Sequence, residues 1–459
     1  MMQRLPPLLF LCFLVVCQGV AQGEALQFSQ VLEIAVSKSL ELRMAEKSLA
    51  MSEAAIREAQ AEYYPIVSLN HNLQYDRDLA GGNSQSTQVG DTFIPSSTRY
   101  ENAIGVGLQY TLYDFGIREG GVVIASRDWE QKGLEYDKNL RELKLQMAAT
   151  YSRALLAERE LTADREQLRL QTMLFSLQEK LHQAGTTPQT ALVDQALVVA
   201  RLTNRIDGME SDFAKALEEL SSQTGATYDR ATTVLRPMAD SLPELAVPEA
   251  SAPPTAADAP PPALDEAMAA ESRIYQLEIE KKRQELMILE KQNWPNMRLS
   301  SNYYWYGSDP ENIENSFSSL AERSWSVRLT TAMPLFDGFK NSARRARLSL
   351  EMERLALEQA QKTRDLQLAY QQSLAEWRTM AGRLGNQQET LRLVADKLAM
   401  LERLRQQALI DEVSYAGQKS DLITQKLELE KLQTQGQLAR YRLLVMNAGV
   451  SAHMEKAHE

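Results

Sequence analysis

The sequence predicts a mainly α-helical protein with a membrane β-barrel part, both built from two tandem structural repeats. Three observations lead to this fold class. Residues 117–183 and 341–407 contain no proline, four short segments alternate between apolar and polar residues, and a pair of short motifs occurs twice. Long periodic stretches favour helices, period-two alternation favours strands, and an internal repeat indicates a duplicated architecture.

The N-terminus has the pattern of a secretory signal peptide, expected to cover residues 1–21. Arg4 supplies a positive start, and Leu8–Val16 is an apolar run too short to cross a bilayer as a helix. Ala21 ends a small-residue cleavage site. No later segment approaches 18 consecutive apolar residues, so no transmembrane helix is expected.

The cysteines and histidines argue against an enzyme. Cys12 and Cys17 both fall in the signal peptide, so no disulfide and no cysteine metal site are expected in the remainder. An alternative is a lipid anchor on Cys17, although Val16 stands where a lipoprotein box usually has a small residue. The four histidines lack ligand spacing, and no catalytic or phosphate-binding motif occurs. We therefore expect no enzymatic activity, no cofactor and no metal.

The charge balance is acidic. The chain has 50 Lys and Arg against 61 Asp and Glu, which gives a formal net charge of −11. Binding to nucleic acid requires a basic surface, so nucleic acid is not an expected partner.

The chain contains one large duplication. Tyr63–Leu69 and Asn293–Leu299 each place an aromatic residue and a proline before an alternating segment, and Leu112–Gly116 is matched by Leu335–Gly338. A proline-rich stretch separates the two copies and is expected to be a linker. The predicted divisions are a first repeat at 22–236, the linker at 237–263, a second repeat at 264–450 and a tail at 451–459.

Each repeat is expected to contain one very long helix, a turn and a second helix. The predicted helices are 117–183 and about 188–224 in the first repeat, and 341–407 and about 412–448 in the second. A helix of 67 residues is about 100 Å long and needs a lateral partner. An apolar seam at steps of three and four residues, interrupted only by Gln387, supplies one in 341–407. From this periodicity alone, a purely structural coiled coil is an equal alternative.

Four predicted strands favour the barrel. They cover about 66–76, 103–113, 297–306 and 325–335, and each has an apolar face and a polar face. About ten residues is the length that a tilted strand needs to cross a bilayer. The alternative is an ordinary half-buried sheet on a soluble core. Since the smallest membrane barrels have eight strands, four membrane strands require an oligomer.

Taken together, these features resemble the TolC, or outer-membrane efflux protein, family over roughly residues 26–450. The resemblance rests on the signal peptide, the repeat, the junctions at Pro65 and Pro295, and the motifs Leu112–Gly116 and Pro334–Gly338. It implies a homotrimer with a twelve-stranded barrel, a helical tunnel in the periplasm of a Gram-negative cell, and the linker at an equatorial belt.

The same resemblance implies the function and the partners. The chain would be the outer-membrane channel of a tripartite efflux or type I secretion system that exports small molecules or proteins. Its partners would be a periplasmic adaptor (membrane fusion) protein, an inner-membrane transporter of RND or ABC type, and outer-membrane lipid. The sequence leaves the substrate and the transporter open.

The resemblance also places a gate and an adaptor contact at the two helix-turn-helix tips. The candidate residues are Gly185, Thr187, Pro188, Ala191 and Asp194 in the first tip, and Asp411, Glu412 and Tyr415 in the second. Family members often carry aspartates just after these turns, where this chain has Ala191 and Tyr415. For the acidic candidates, an exposed charge near a helix end is the alternative, and dipole stabilisation alone accounts for Asp411 and Glu412.

Two arginines fall on the polar face of the predicted strands. Arg298 and Arg328 would give a barrel lumen a positive ring that favours anions. Equally, they would be paired with lumen acids or lie near the membrane interface.

The rival function is a periplasm-spanning structural or adaptor coiled coil without a pore. It would share the long helices of residues 117–183 and 341–407. It has no need of four amphipathic strands of bilayer length, which are therefore the discriminating feature.

Overall fold

The computed structural model describes residues 26–76, 87–89, 92–94, 99–230, 233–238, 265–309, 312–320, 322–407 and 409–447. The expected signal peptide with Cys17, the linker beyond Met238, and the tail at 451–459 lie outside these residues.

The described residues form eight helices and six strands. The helices are α1 (Phe28–Lys38), α2 (Leu40–Ala61), α3 (Ile117–Gln183), α4 (Gln189–Thr224), α5 (Asp265–Lys291), α6 (Ile313–Ser318), α7 (Lys340–Gln406) and α8 (Glu412–Asn447). The strands are β1 (Ile66–Asp76), β2 (Thr87–Val89), β3 (Thr92–Ile94), β4 (Arg99–Tyr113), β5 (Asn296–Asp309) and β6 (Glu322–Ala332). None of the described helices is both long and apolar enough to span a membrane.

The chain forms two compact units. The first unit contains Met1–Met44, Tyr136–Ala270 and Thr363–Glu459, and the second contains Ala45–Glu135 and Glu271–Lys362. Both sequence repeats contribute to each unit, so the compact units cut across the division that the duplication predicts.

The second unit holds an antiparallel sheet in the order β1-β4-β5-β6. Its register places Val106 opposite Leu69 and Tyr303, and Tyr303 opposite Trp325, on one face. On the other face, Gly107 lies opposite Asn302. The two repeats therefore meet at the β4-β5 pair, with all apolar rows on the same side. Among the described residues, β1 pairs only with β4, and β6 only with β5.

The strand ends differ from the predicted ones. The last strand begins at Glu322 and ends at Ala332, whereas about 325–335 was expected. Pro334 lacks a backbone N–H and cannot extend the ladder, and Met333 therefore lies beyond the strand. At the opposite end of the sheet, β4 begins at Arg99 and β5 continues to Asp309, so both hairpins are longer than the alternating pattern indicates.

The two strand-to-helix junctions share one backbone conformation. Phe115 and Gly116 have φ of 57° and 83°, and Gly338 and Phe339 have φ of 66° and 65°. In both, an aspartate side chain then caps the following helix: Asp114 accepts from the Arg118 amide at 3.0 Å, and Asp337 from the Asn341 amide at 2.9 Å. The duplication therefore conserves the turn while the order of phenylalanine and glycine is exchanged.

Asp114 is held as a carboxylate in its junction. Burial would raise its pKa, but hydrogen bonds from the backbone and side chain of Arg118 outweigh that effect and lower the pKa below its ordinary value. The Arg118 Nε lies 2.9 Å from the Asp114 Oδ2, and the guanidinium stacks 4.8 Å above the Tyr63 ring.

The first unit has a hydrophobic core around α1. Phe28 packs on Tyr151 and Tyr441, with ring centroids 5.4 and 5.1 Å apart. The Tyr151 hydroxyl lies 2.8 Å from the Leu26 carbonyl and 2.7 Å from the Arg236 carbonyl. This buried hydroxyl ties the start of the described chain to the segment that precedes the linker.

The segment that precedes the linker, residues 233–238, packs within the first unit. Leu26 forms a parallel β-bridge with Leu235, and Glu158 accepts a hydrogen bond from the Leu235 amide at 3.2 Å. Met238 has no exposed surface, although the linker was expected to begin at 237. The first residues of the predicted linker therefore belong to the core of the first unit.

We predict that Tyr151→Phe destabilises the first unit by about 1 kcal/mol, because it removes a buried hydroxyl that donates to the Leu26 or the Arg236 carbonyl. The midpoint of thermal unfolding, followed by circular dichroism, should fall. Tyr441→Phe is the matched control: Tyr441 lies in the same core, and burial alone raises its pKa to about 12. Equal losses of stability in the two variants would contradict the role assigned to the Tyr151 hydroxyl.

Candidate functional site

The first helix-turn-helix tip is closed by a glycine. Gly185 has φ of 77°, a left-handed conformation that glycine adopts without steric cost. Its amide donates to the His182 carbonyl at 2.8 Å, and the Thr186 amide donates to the Leu181 carbonyl at 3.0 Å. These bonds cap the C-terminus of α3 in the manner of a Schellman motif.

A histidine braces the same turn. The His182 Nδ1 lies 2.7 Å from the Thr187 carbonyl, so this nitrogen carries the proton and donates. Pro188 follows as the extended residue immediately before α4, rather than within its first turn as expected. Beyond it, Ala191 is half-buried and Asp194 is exposed. The first tip is thus shaped mainly by backbone bonds and has a single exposed carboxylate among its candidates.

The second tip reaches a similar turn without glycine. The Leu409 amide donates to the Leu404 carbonyl at 2.9 Å, which repeats the bond between Thr186 and Leu181. Asp411 then accepts from the Ser414 amide at 3.3 Å, just before α8 begins. The Ser414 side chain contributes most to the lowered pKa of Asp411, followed by backbone amides. Asp411 is therefore a helix cap, which agrees with the structural alternative for this residue.

An arginine that the sequence did not single out organises the remaining candidates of the second tip. The Arg405 guanidinium lies 3.0 Å from a Glu412 oxygen and 2.7 Å from a Glu402 oxygen, and it stacks 4.6 Å above the Tyr415 ring. Hydrogen bonds from Arg405 and then Tyr415 lower the pKa of Glu402 to about 2. We call Glu402, Arg405, Glu412 and Tyr415 the Arg405 cluster.

The spacing of Glu402 and Arg405 could have indicated half of this cluster. Residues three apart lie on the same face of a helix and commonly form ion pairs. Glu412 and Tyr415 belong to the next helix, so only the turn brings them to Arg405. The cluster joins α7 to α8 across the tip and leaves Glu412 paired.

Half-buried glutamines form hydrogen bonds between neighbouring helices behind the tips. Gln387 donates from its Nε2 to the Gln425 side-chain oxygen at 2.8 Å and to the Gln425 carbonyl at 3.1 Å. Gln195 makes the same pair of bonds to Gln171 at 2.7 and 3.1 Å. The polar interruption of the apolar seam at Gln387 is therefore a specific contact between α7 and α8.

The polar face of the sheet carries the two candidate lumen charges. Arg298 lies opposite Thr330 and Arg328 opposite Ser300, so both arginines are on the face of Gly107 and Asn302. Both are exposed, and neither forms an ion pair with another residue that the structure describes. Their charge is thus not neutralised within the described part of one chain.

An aromatic side chain also lies on that face. A Cβ atom at Gly105 would fall 2.0 Å from the Tyr304 ring, so the ring covers this glycine. Gly107 is similarly enclosed by Asn302, Asn70 and Ser68. The two glycines of β4 therefore leave room for larger side chains from the neighbouring strands β1 and β5. No group of His, Cys, Asp or Glu among the described residues could hold a metal ion.

Comparison with known proteins gives a family match over part of the chain and a common fold. The sequence model of the family described as outer membrane efflux protein matches residues 31–226. No curated protein sequence matches the chain.

Three solved structures illustrate the similarity of fold. A structure of CusC shares 17% identity with a TM-score of 0.73, covering 95% of this chain and 95% of that chain. VceC of Vibrio cholerae shares 15% identity with a TM-score of 0.72, covering 92% and 97%. The CmeC outer membrane channel of Campylobacter jejuni shares 10% identity with a TM-score of 0.72, covering 94% and 88%. At these identities the likeness establishes a common fold.

Proposed function

We propose that the chain belongs to the outer membrane efflux protein family and is the outer-membrane channel of a tripartite export system. Proteins of this family are channels and not enzymes. The chain acts as a homotrimer in the outer membrane, has a large periplasmic helical part, and works with a periplasmic adaptor and an inner-membrane transporter.

The observation that carries this function is the four-stranded sheet with two open edges. One face is apolar and strongly exposed, with Leu69 at 74%, Trp325 at 72% and Leu329 at 60%. Lipid covers such a face, but it cannot pair the edges of β1 and β6, because unpaired backbone groups are not tolerated in hydrocarbon. The edges of neighbouring copies must therefore pair, and a ring of strands encloses a polar lumen. A coiled-coil adaptor without a pore offers no reason for this sheet.

The duplication indicates which residues meet at the contact between copies. Within one chain, the first junction packs on the second repeat: the Phe115 ring lies 4.6 Å from Tyr113 and 5.0 Å from Trp294. The second junction has a matching ring pair, Phe336 and Phe339, that is about three-quarters exposed. We infer that these rings pack on Tyr64 of the next copy, the counterpart of Trp294.

The same equivalence predicts the register of the helices. In one chain, Asp128 of α3 pairs with Lys281 of α5 at 3.0 Å, and Arg127 pairs with Glu280 at 3.0 Å. Aligning the repeats at Asp114 with Asp337, and at Pro65 with Pro295, transfers this contact to α7 and α2. Arg127 becomes Leu350, and Lys281 becomes Met51.

Both transferred positions are apolar and exposed in a single chain, Leu350 at 64% and Met51 at 71%. The partners of the two cations, Glu280 and Asp128, correspond to Ala50 and Glu351, so neither ion pair is repeated between copies and both cations are replaced by apolar residues. Apolar surface of this kind is removed from water when the ring closes, which stabilises the assembly.

We predict that Met51→Cys with Leu350→Cys forms disulfides between copies. The sequence has no cysteine after Cys17, so oxidation of the outer-membrane oligomer should give a ladder of up to three linked chains on a non-reducing gel. Met51→Cys with Leu357→Cys is the matched control, because seven residues displace the second site by about 10 Å along the helix. Equal linking by both pairs would exclude the proposed register.

We propose that the two tips form the gate. The first tip contributes Gly185, Thr187, Pro188, Ala191 and Asp194, and the second contributes Asp411, Glu412 and Tyr415. The Arg405 cluster supports this proposal, since one ion pair, Arg405–Glu412, and the stacking of Arg405 on the Tyr415 ring tie α7 to α8. A closed tip held by such contacts opens when they are broken.

We predict that Arg405→Gln raises the open probability of single channels in planar bilayers severalfold at pH 7. The substitution leaves Glu402 and Glu412 without their cation, and like charges then repel at the tip. Arg392→Gln on the same helix is the control, since its exposed pair with Glu389 lies within one helix and joins nothing across the turn. Unchanged gating in Arg405→Gln, with the pore otherwise intact, would show that the cluster does not hold the gate.

The same variant should acquire a pH dependence that the native channel lacks. The pKa of Glu402, about 2, lies below the ordinary value of about 4.3, so its ion pair is complete above that value and is lost as pH falls through about 2. Native gating should therefore stay constant between pH 7 and 4. In Arg405→Gln, acidification through about 4.3 should reduce the open probability, because protonation removes the repulsion.

We propose that Arg298 and Arg328 give the lumen a positive ring. Arg298→Gln with Arg328→Gln should lower the anion-to-cation permeability ratio by roughly twofold or more, measured as a reversal potential in a KCl gradient. Arg323→Gln is the control, since Arg323 lies opposite Trp305 on the other face of the same strand as Arg328. A shift of equal size in the control would contradict the assignment of faces.

Single-channel conductance of the purified oligomer tests the function itself. Discrete conductance steps, altered by substitutions in the tips, are expected. If a correctly assembled oligomer gave no steps even with both tips disrupted, a bridge without a pore would be the better account.

A further inference from the structure

A short helix lies on the apolar face of the sheet at the end remote from the long helices. Helix α6 (Ile313–Ser318) connects β5 to β6 and packs on β5 and β4. A Cβ atom at Gly307 would lie 2.6 Å from the Ser316 carbonyl oxygen and 2.7 Å from Ser319. Glycine at this position therefore lets the helix lie close against the strand.

One polar residue on the strands beneath α6 is buried. Asn102 lies opposite Leu73 and Gly307, in the row that continues Ile104 and Val106, and only 1% of its surface is exposed. The His71 Nε2 donates to the Asn102 Oδ1 at 2.9 Å, although the His71 side chain itself remains exposed. At this level the apolar rows give way to a polar pair.

Two apolar residues lie beside the buried side of α6. Ile313 and Phe317, four residues apart on one flank of the helix, remain 39% and 44% exposed, whereas Ser316 is fully buried against the sheet. Glu314 and Ser318 lie on the side opposite Ser316 and are exposed. The Phe317 ring also contacts the His71 ring, with centroids 5.9 Å apart. The helix thus replaces the apolar surface that the polar pair removes from the strands.

The level of α6 along the strands corresponds to the edge of the apolar band. From Leu299 to Trp305, strand β5 advances by six residues, or about 20 Å along the strand, which is roughly 15 Å of height at the usual tilt of a barrel strand. Two residues further, Gly307 and its partner Asn102 interrupt the row of large apolar residues on β5 and β4. Helix α6 therefore begins where that row ends.

We propose that α6 is an interfacial helix that seats Ile313 and Phe317 among the lipids of the outer leaflet, at the boundary between headgroups and acyl chains. This inference rests on the proposed function, because it takes the apolar face of the sheet as the lipid-facing one. Lipid is the occupant because the two side chains continue that same face, on the same side of the sheet as Trp305 and Val106. Amphipathic helices in an interface bury their apolar side in this manner.

The test places an environment-sensitive nitrobenzoxadiazole dye on Phe317→Cys in the full trimer. The protein is reconstituted in phosphatidylcholine and phosphatidylglycerol vesicles that contain lipids with a nitroxide near the headgroup or deep in the acyl chain. Glu314→Cys, on the same helix, and Leu329→Cys, at mid-height of the apolar face, are the matched controls. Ile313→Cys is a second reporter should the first variant fail to assemble.

The expected result is that the headgroup nitroxide quenches the dye at 317 most strongly, while aqueous iodide quenches the dye at 314. Iodide quenching at 317 equal to that at 314 would overturn the proposal, as would quenching by neither reagent, which would mean that protein covers the helix. Stronger quenching at 317 by the deep nitroxide would likewise overturn the interfacial placement. The dye on Leu329→Cys distinguishes failure of the interfacial placement of α6 from failure of the proposed function. If lipid nitroxides do not quench this dye, the apolar face of the sheet does not face lipid and the proposed function fails.

Discussion

The structure depends on one constraint: backbone amides and carbonyls at the edges of a sheet must be paired wherever lipid replaces water. An unpaired peptide group in hydrocarbon costs several kcal/mol, and strands β1 and β6 each present a whole row of them. A single chain therefore cannot occupy a membrane by itself. The two edges belong to two copies of one hairpin in the sequence, so the β1 edge of one chain can pair with the β6 edge of the next chain. The duplication therefore favours assembly.

The two strand-to-helix junctions connect the sheet to the long helices α3 and α7. Two consecutive residues in the left-handed region, followed by an aspartate-capped helix, turn each repeat from strand to helix in the same way. A phenylalanine in that region is strained by roughly 1–2 kcal/mol. Phe115 packs on Trp294 inside the chain, whereas Phe339 packs on Phe336 and remains 74% exposed. The second junction thus keeps an exposed aromatic pair for the proposed contact between copies.

The two tips solve the same problem of ending a long helix by different means. In the first, Gly185 supplies the left-handed residue and His182 braces the turn. In the second, no glycine is available, and Asp411 and the Arg405 cluster hold the turn through side chains. A turn held by an ion pair and a stacked ring is weakened when one of those side chains is substituted, whereas the backbone bonds of the first turn remain. In the gate proposed above, this asymmetry favours the second tip as the part that moves first.

The sequence by itself determined the long helices, the strands with their apolar faces, and the duplication, because each is a periodic signal carried by neighbouring residues. It also determined the need for an oligomer, which follows from counting strands. Only the tertiary structure decided that Gln387 bonds to Gln425, that Arg405 gathers Glu412 and Tyr415, and that His71 bonds to Asn102. The physical reason is that these contacts join residues on different elements. Their partners are set by how turns and registers bring those elements together, and no local pattern encodes that.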